Sequence, residues 1–322
     1  MPHANRSRTG GSRAPCRSAV VTLLLVLVAS LSGAAAQTST RSLLVAADLG
    51  LPELVITATD DGWDAPAEIA AGRYLLTVSY DGNREYGTTA FALLPEDWTI
   101  ERFNQHLAET NAAFDATPVS GEPPVDPDLS WIYEITLAGG VSPTPGSTEQ
   151  AIVDLRSGTW AIWADEFVPP ARQLVVTGEP PAIQPIPEQT AAVTAINDDS
   201  SFRFQIEGEL LAGPRIVEVT NLSRIPIYIE FVRLSHSLTD EQLAAFLLTP
   251  VGLAPDPALG IPADFSATVT PFYSAMQSPG ITQWIVTNFE PGSYGMVCWL
   301  PDPDHDGASL ASLGMVHAFD VT

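Results

Sequence analysis

The chain has 322 residues, with 14 basic side chains against 38 acidic ones, a formal net charge of -24 and a hydrophobic fraction of 45%. Every basic residue is arginine and lysine is absent, which excludes Schiff-base lysine chemistry, a P-loop lysine, and a basic face for nucleic acid or anionic lipid. The length suits two domains at about 100–200 residues each, and the apolar content is sufficient for packed cores.

In chain order, Arg6, Arg8, Arg13 and Arg17 precede an apolar run over 19–31, and small residues over 32–36 end at Ala36. This pattern reads as a secretory signal peptide over 1–36; the run is shorter than the about 20 residues that cross a bilayer. Removing it leaves 10 arginines against 38 acids, net -28. Cys298 is then the one remaining cysteine, so no intramolecular disulfide is expected. Short β-rich runs follow at 54–58, 74–80, 131–137, 174–177, 202–207, 216–220, 227–234 and 284–287, punctuated by Gly, Pro and Asp. That spacing predicts a sandwich or barrel rather than βαβ units. A Pro-rich stretch at 179–189 reads as an extended linker between domains at 41–178 and 190–322.

The two sides of the linker repeat one another. Phe91, Leu94, Thr99, Glu101 and Leu107 recur 140 residues later as Phe231, Leu234, Thr239, Glu241 and Leu247. Gly72 and Gly213 match at an offset of 141, and 157–162 matches 291–296 at an offset of 134. Ordered matches with small changes of offset are what a tandem duplication with loop insertions leaves. Each copy predicts one short helix after its central strand. Thr239 with Gln242 forms a capping-box pattern, and Thr99 caps its counterpart. Ile100, Phe103 and Leu107 share a face, as do Leu243, Phe246 and Leu247, so both helices should pack on the sandwiches.

Residues 63–72, 213–221 and 292–299 then carry a family resemblance. Gly292-Ser293-Tyr294 leads to Cys298, followed by His305, then Gly314-Met315-Val316 and a final strand. The chain resembles cupredoxins, the blue-copper β-sandwiches, especially secreted bacterial cupredoxin-like domains. The resemblance covers most of 190–322 and, more loosely, 50–178. It implies an all-β fold of two tandem cupredoxin-like Greek-key sandwiches, each with one short helix insertion. It also implies copper ligands at Cys298, His305 and Met315, because a thiolate, two imidazoles and a thioether suit both oxidation states of copper. The second imidazole should lie within 225–231, which holds no histidine, and Ala164 stands at the first copy's cysteine position. The four histidines beyond residue 36 are too few for a trinuclear copper cluster.

A second constellation, Asp302, Asp304 and Asp306 before Gly307, matches the first half of a calcium loop, although its twelfth position is Leu313. No nucleophile elbow, zinc-protease motif or phosphate loop is present. The sequence therefore predicts a secreted, non-enzymatic binding or interaction protein with no cofactor and an unknown extracytoplasmic partner. The alternative is a copper-binding or electron-transfer protein using Cys298, His305 and Met315; calcium at the aspartate loop is the other metal reading.

Overall fold

The computed structural model describes residues 49–115, 127–168, 170–198, 201–250 and 253–322. The leader read at 1–36 lies outside them. The first half runs β1 (Glu53–Thr59), β2 (Gly62–Asp64), β3 (Glu68–Ala70), β4 (Gly72–Tyr80), β5 (Thr89–Leu93), α1 (Ile100–Asp115), β6 (Thr136–Val141), β7 (Thr148–Leu155), β8 (Gly158–Trp163) and β9 (Arg172–Thr177). The second runs β10 (Ala191–Asn197), β11 (Phe202–Gly208), β12 (Gly213–Asn221), β13 (Ile227–Leu234), α2 (Asp240–Leu247), β14 (Ala267–Gln277), β15 (Thr282–Phe289), β16 (Gly292–Val297), β17 (Pro301–Asp302), β18 (Ala308–Ser309) and β19 (Val316–Val321). The offsets read from sequence reappear in the elements. Gly72 and Gly213 open matching strands 141 residues apart, and Gly158 and Gly292 do so 134 apart.

Each half is a two-sheet sandwich with crossovers of Greek-key type. In both, the first strand pairs parallel to a later one, β1 with β4 and β10 with β12, while most other pairings are antiparallel. The chain is all-β and cupredoxin-like. Alternation places the cores: Leu54, Ile56 and Ala58 on β1 point inward to Leu76, Val78, Phe91, Trp160 and Ile162, while Val193, Val219, Ile229, Phe231 and Met296 fill the second sandwich. The opposite face of β5 and β8 is apolar as well, with Ala90, Ala92 and Trp163 covered by Phe103 and Leu107 of α1. In the second half Leu243 and Leu247 of α2 cover Val232, Leu234 and Val297. Gly295 lies under Leu243, and a Cβ there would overlap that side chain. Both helices therefore seal an outer face, as their stripes predict.

One element differs. The strand expected at 131–137 starts only at Thr136, and Ser130–Tyr133 forms a 3-10 turn. Trp131 is drawn inward by α1, donating its indole N–H to Thr110 Oγ1 at 3.1 Å.

The sandwiches join edge to edge. Trp284 and Ile285 of β15 pair with Ile152 and Ala151 of β7, and Gln277 of β14 pairs with Ala138 of β6. The result is one eight-stranded and one nine-stranded sheet running through both halves. Leu75, Ile152, Ile216 and Trp284 form an apolar cluster across the seam. The buried Gln283 carboxamide accepts from Gly140 N at 2.8 Å and donates to Ser274 Oγ at 2.6 Å. Gly139 makes room for it: φ is +88°, and a Cβ would overlap the amide. The Pro-rich linker lies along the first sandwich, where Gln184 accepts from Arg73 N and Pro185 O accepts from Arg73 Nη1 at 2.8 Å.

Candidate functional site

Cys298 follows β16 and is fully buried in the second core, as is Met315. Their backbones meet, with Cys298 N donating to Met315 O at 3.2 Å. Burial pushes the thiol up to about 12, although the backbone N–H groups of Tyr228 and Leu300 act to lower it. His305 is not brought to them. Pro301 pairs with Ser309 and Asp302 with Ala308, so 301–309 is a small hairpin with His305 at its tip. Leu310 N donates to Leu300 O at 2.8 Å and closes the hairpin's base, which puts buried Leu310, not the histidine, on the return beside the core.

His305 Nδ1 instead meets Asp302 Oδ2 at 2.6 Å, in a cluster centred on Arg224. The Arg224 guanidinium pairs with fully buried Asp302 and, at 2.5 Å, with Asp304, and lies over Phe202 at 5.3 Å. The carboxylates offered to calcium thus have a protein cation between them. Asp306 takes a left-handed conformation at φ 56° and ends the hairpin's tip. Among the described residues no group of three or more His, Cys, Asp or Glu side chains is placed to hold a metal ion.

The segment that should supply a second imidazole places Ile227, Tyr228 and Ile229 in the core. His236 sits on the surface near Asp264 at 3.8 Å, His317 pairs with Asp240 at 3.1 Å, and His106 stacks between Trp98 and Trp131. A type 1 copper centre needs two imidazoles beside the thiolate, and these residues do not fit it. One neutral thiol and one thioether are assembled, and the nearest loop histidine is held by a carboxylate.

The corresponding end of the first sandwich is acidic. Asp165, directly after Ala164, is buried, and its Oδ2 accepts from Tyr273 OH at 3.1 Å and Met276 N at 3.2 Å across the seam. Desolvation, with Glu166 beside it, raises its pKa well above the usual carboxylate range. Nearby, burial raises Glu149 to about 8 and Glu230 to about 7.

At the other end of the seam lies a cavity of about 310 Å³ lined by Tyr133, Ile135, Thr136, Arg156, Arg224, Pro226, Ser278, Pro279 and Ile281. A second, of about 360 Å³, shares Ile281 and is lined by Arg73, Asp154, Ile186, Glu218 and Trp284. Its Arg73 is held by two bonds of 2.8 Å to Asp154 and lies over Trp284 at 4.3 Å. The sequence reading missed these arginines. Their one signal is scarcity, since a chain so poor in cations brings three of them to the seam.

No family model and no curated protein matches the chain. Solved structures that match include a multicopper oxidase, 14% identical over 84% of this chain and 88% of that one, with a TM-score of 0.21. The auracyanin of Roseiflexus castenholzii is 20% identical over 41% of this chain and 94% of its own, with a TM-score of 0.22. Copper nitrite reductase from Nitrosomonas europaea is 10% identical over 84% and 93%, with a TM-score of 0.23. The cupredoxin-like fold stands on the strand pairing above. The expectation of a chain without catalytic activity is corrected by this comparison, since the matched structures include an oxidase and a nitrite reductase, and it is not carried forward.

Proposed function

We propose that this cupredoxin-like chain is an extracytoplasmic ligand-binding protein whose ligand lies in the seam between its two sandwiches. The observation that supports it is the cavity of about 310 Å³ walled by residues of both halves. That volume is at the lower end of the range for small-molecule pockets, about 300–1,000 Å³. The extracytoplasmic placement rests on the leader pattern at 1–36; no described helix is long and apolar enough to cross a membrane. In this reading Cys298 and Met315 are packing residues, and Arg224 ties the hairpin 301–309 to the β12–β13 loop.

Copper at Cys298 is the second reading, supported only by the thiol's lying in the same core cluster as the Met315 thioether. Two measurements separate the readings. A Cu²⁺ titration followed in the visible is expected to give no intense thiolate-to-copper band; such a band, lost in Cys298→Ser, replaces the first reading by the second. Titration with environment-sensitive naphthyl dyes is expected to show one saturable site per chain that Ile281→Trp or Pro279→Trp blocks. Binding that neither variant changes removes the seam from the proposal.

A further inference from the structure

We infer that the seam cavity takes a small organic acid, a carboxylate on a compact apolar body, with Arg156 as the residue that reads its charge; this rests on the seam being the binding surface. Most described arginines are committed within the fold. Arg73, Arg203, Arg224 and Arg233 pair with carboxylates, and Arg172 and Arg215 donate to backbone carbonyls. Arg156 stands apart. This exposed residue is one of those lining the cavity, its guanidinium donates to Thr136 Oγ1 at 3.3 Å, and among the described residues no carboxylate pairs with it. A guanidinium presents a planar fork of donors that a carboxylate matches with two parallel hydrogen bonds. Bonded only to a hydroxyl and exposed beside the cavity, Arg156 keeps donors that an anion from outside can take.

The rest of the wall selects the ligand's body. Ile135, Pro226, Pro279 and Ile281 are apolar, and the hydroxyls between them are already engaged. Tyr133 OH donates to Pro301 O at 2.9 Å, and Ser278 Oγ donates to Ile135 O at 3.3 Å while accepting from Leu137 N at 2.9 Å. A ligand with polar groups along its body would bury them against these partners without new bonds of its own.

The test uses two dyes of one ring system on the full mature chain: anilinonaphthalene sulfonate, which carries an anion, and phenylnaphthylamine, which does not. The sulfonate should bind about tenfold tighter, the scale of one charge-assisted hydrogen-bond pair. Arg156→Gln should erase that preference while leaving the neutral dye unchanged, and Arg156→Lys should recover part of it. Hexanoate should displace the sulfonate dye; hexanamide and inorganic phosphate should not. Equal affinity for the two dyes, a preference that survives Arg156→Gln, or displacement by phosphate as strong as by hexanoate overturns the organic-acid inference and leaves the seam as a binding surface. Absence of saturable binding by either dye, or indifference to both blocking variants, overturns the seam reading itself.

Discussion

The Cys298 side chain shows how burial decides chemistry. With its thiol raised to about 12, it holds no thiolate near neutral pH and is closed to reagents that attack through one. The folded chain from residue 37 onward, which lacks Cys16, should therefore react with Ellman's reagent at about pH 8 only on the timescale of unfolding, while the same chain unfolded reacts at once. Rapid labelling of the native state would show a thiol more open than its position in the core allows. Arg224 has the opposite character, since it compensates the fully buried Asp302 carboxylate. Arg224→Gln should cost about 3 kcal/mol, read as a drop in urea midpoint, because it leaves a buried charge without its cation. A loss within error would mean that His305 compensates Asp302 alone. Cys298 and Met315 were legible as neighbours through the family resemblance carried by 292–299 and 314–316, not through any periodicity of the adjoining strands. The place of His305 was not, because the hairpin that carries it away depends on cross-chain register and on an arginine 81 residues earlier.

At the level of elements, local chemistry is most readable at helix starts. Thr239 Oγ1 accepts from Gln242 N at 3.2 Å, and Gln242 Oε1 accepts from Thr239 N at 2.9 Å, completing the box inferred from four residues. Thr239→Ala should cost about 1 kcal/mol of unfolding free energy by urea titration; an unchanged midpoint would mean the cap carries nothing. Strand β6 is harder to read. Its Gly139-Gly140 pair looks like weak strand sequence, yet the left-handed Gly139 admits Gln283 from the other half. Gly139→Ala is expected to destabilise by about 2–4 kcal/mol, through the positive φ and the overlap together. Its effect should shrink in a Gln283→Ala background if the overlap dominates. No pattern within one strand announces such a contact, since its reason lies about 140 residues away.

For the whole molecule, the raised carboxyls set a pH dependence. Glu149, Glu230 and Asp165 hold protons in the folded chain to higher pH than the value of about 4 they take when unfolded. Between those limits the folded state binds more protons, so stability falls as pH rises from about 4 through about 8. Melting temperature should accordingly be higher near pH 5.5 than near pH 8.5, and Glu149→Gln should raise it at about pH 8.5 with little change at about pH 5.5. A flat profile in the wild type would remove these groups as its cause. The two-sandwich plan was legible because duplication and alternation are local signals summed along the chain. The joining of the sheets was not, because β15 reads as an ordinary strand whether its outer edge faces water or another sheet, and its partner β7 is not among the runs read from sequence.

That joining also bears on the chain's descent. A duplicated gene first gives two units that can each persist alone. Here either half cut free would uncover a sheet edge, part of the cluster around Trp284, and either an unfilled Gly139 bulge or a Gln283 Oε1 that has lost its Gly140 donor. Each copy has become the other's missing neighbour, so recombination that separates them should yield two insoluble fragments rather than two ancestral domains.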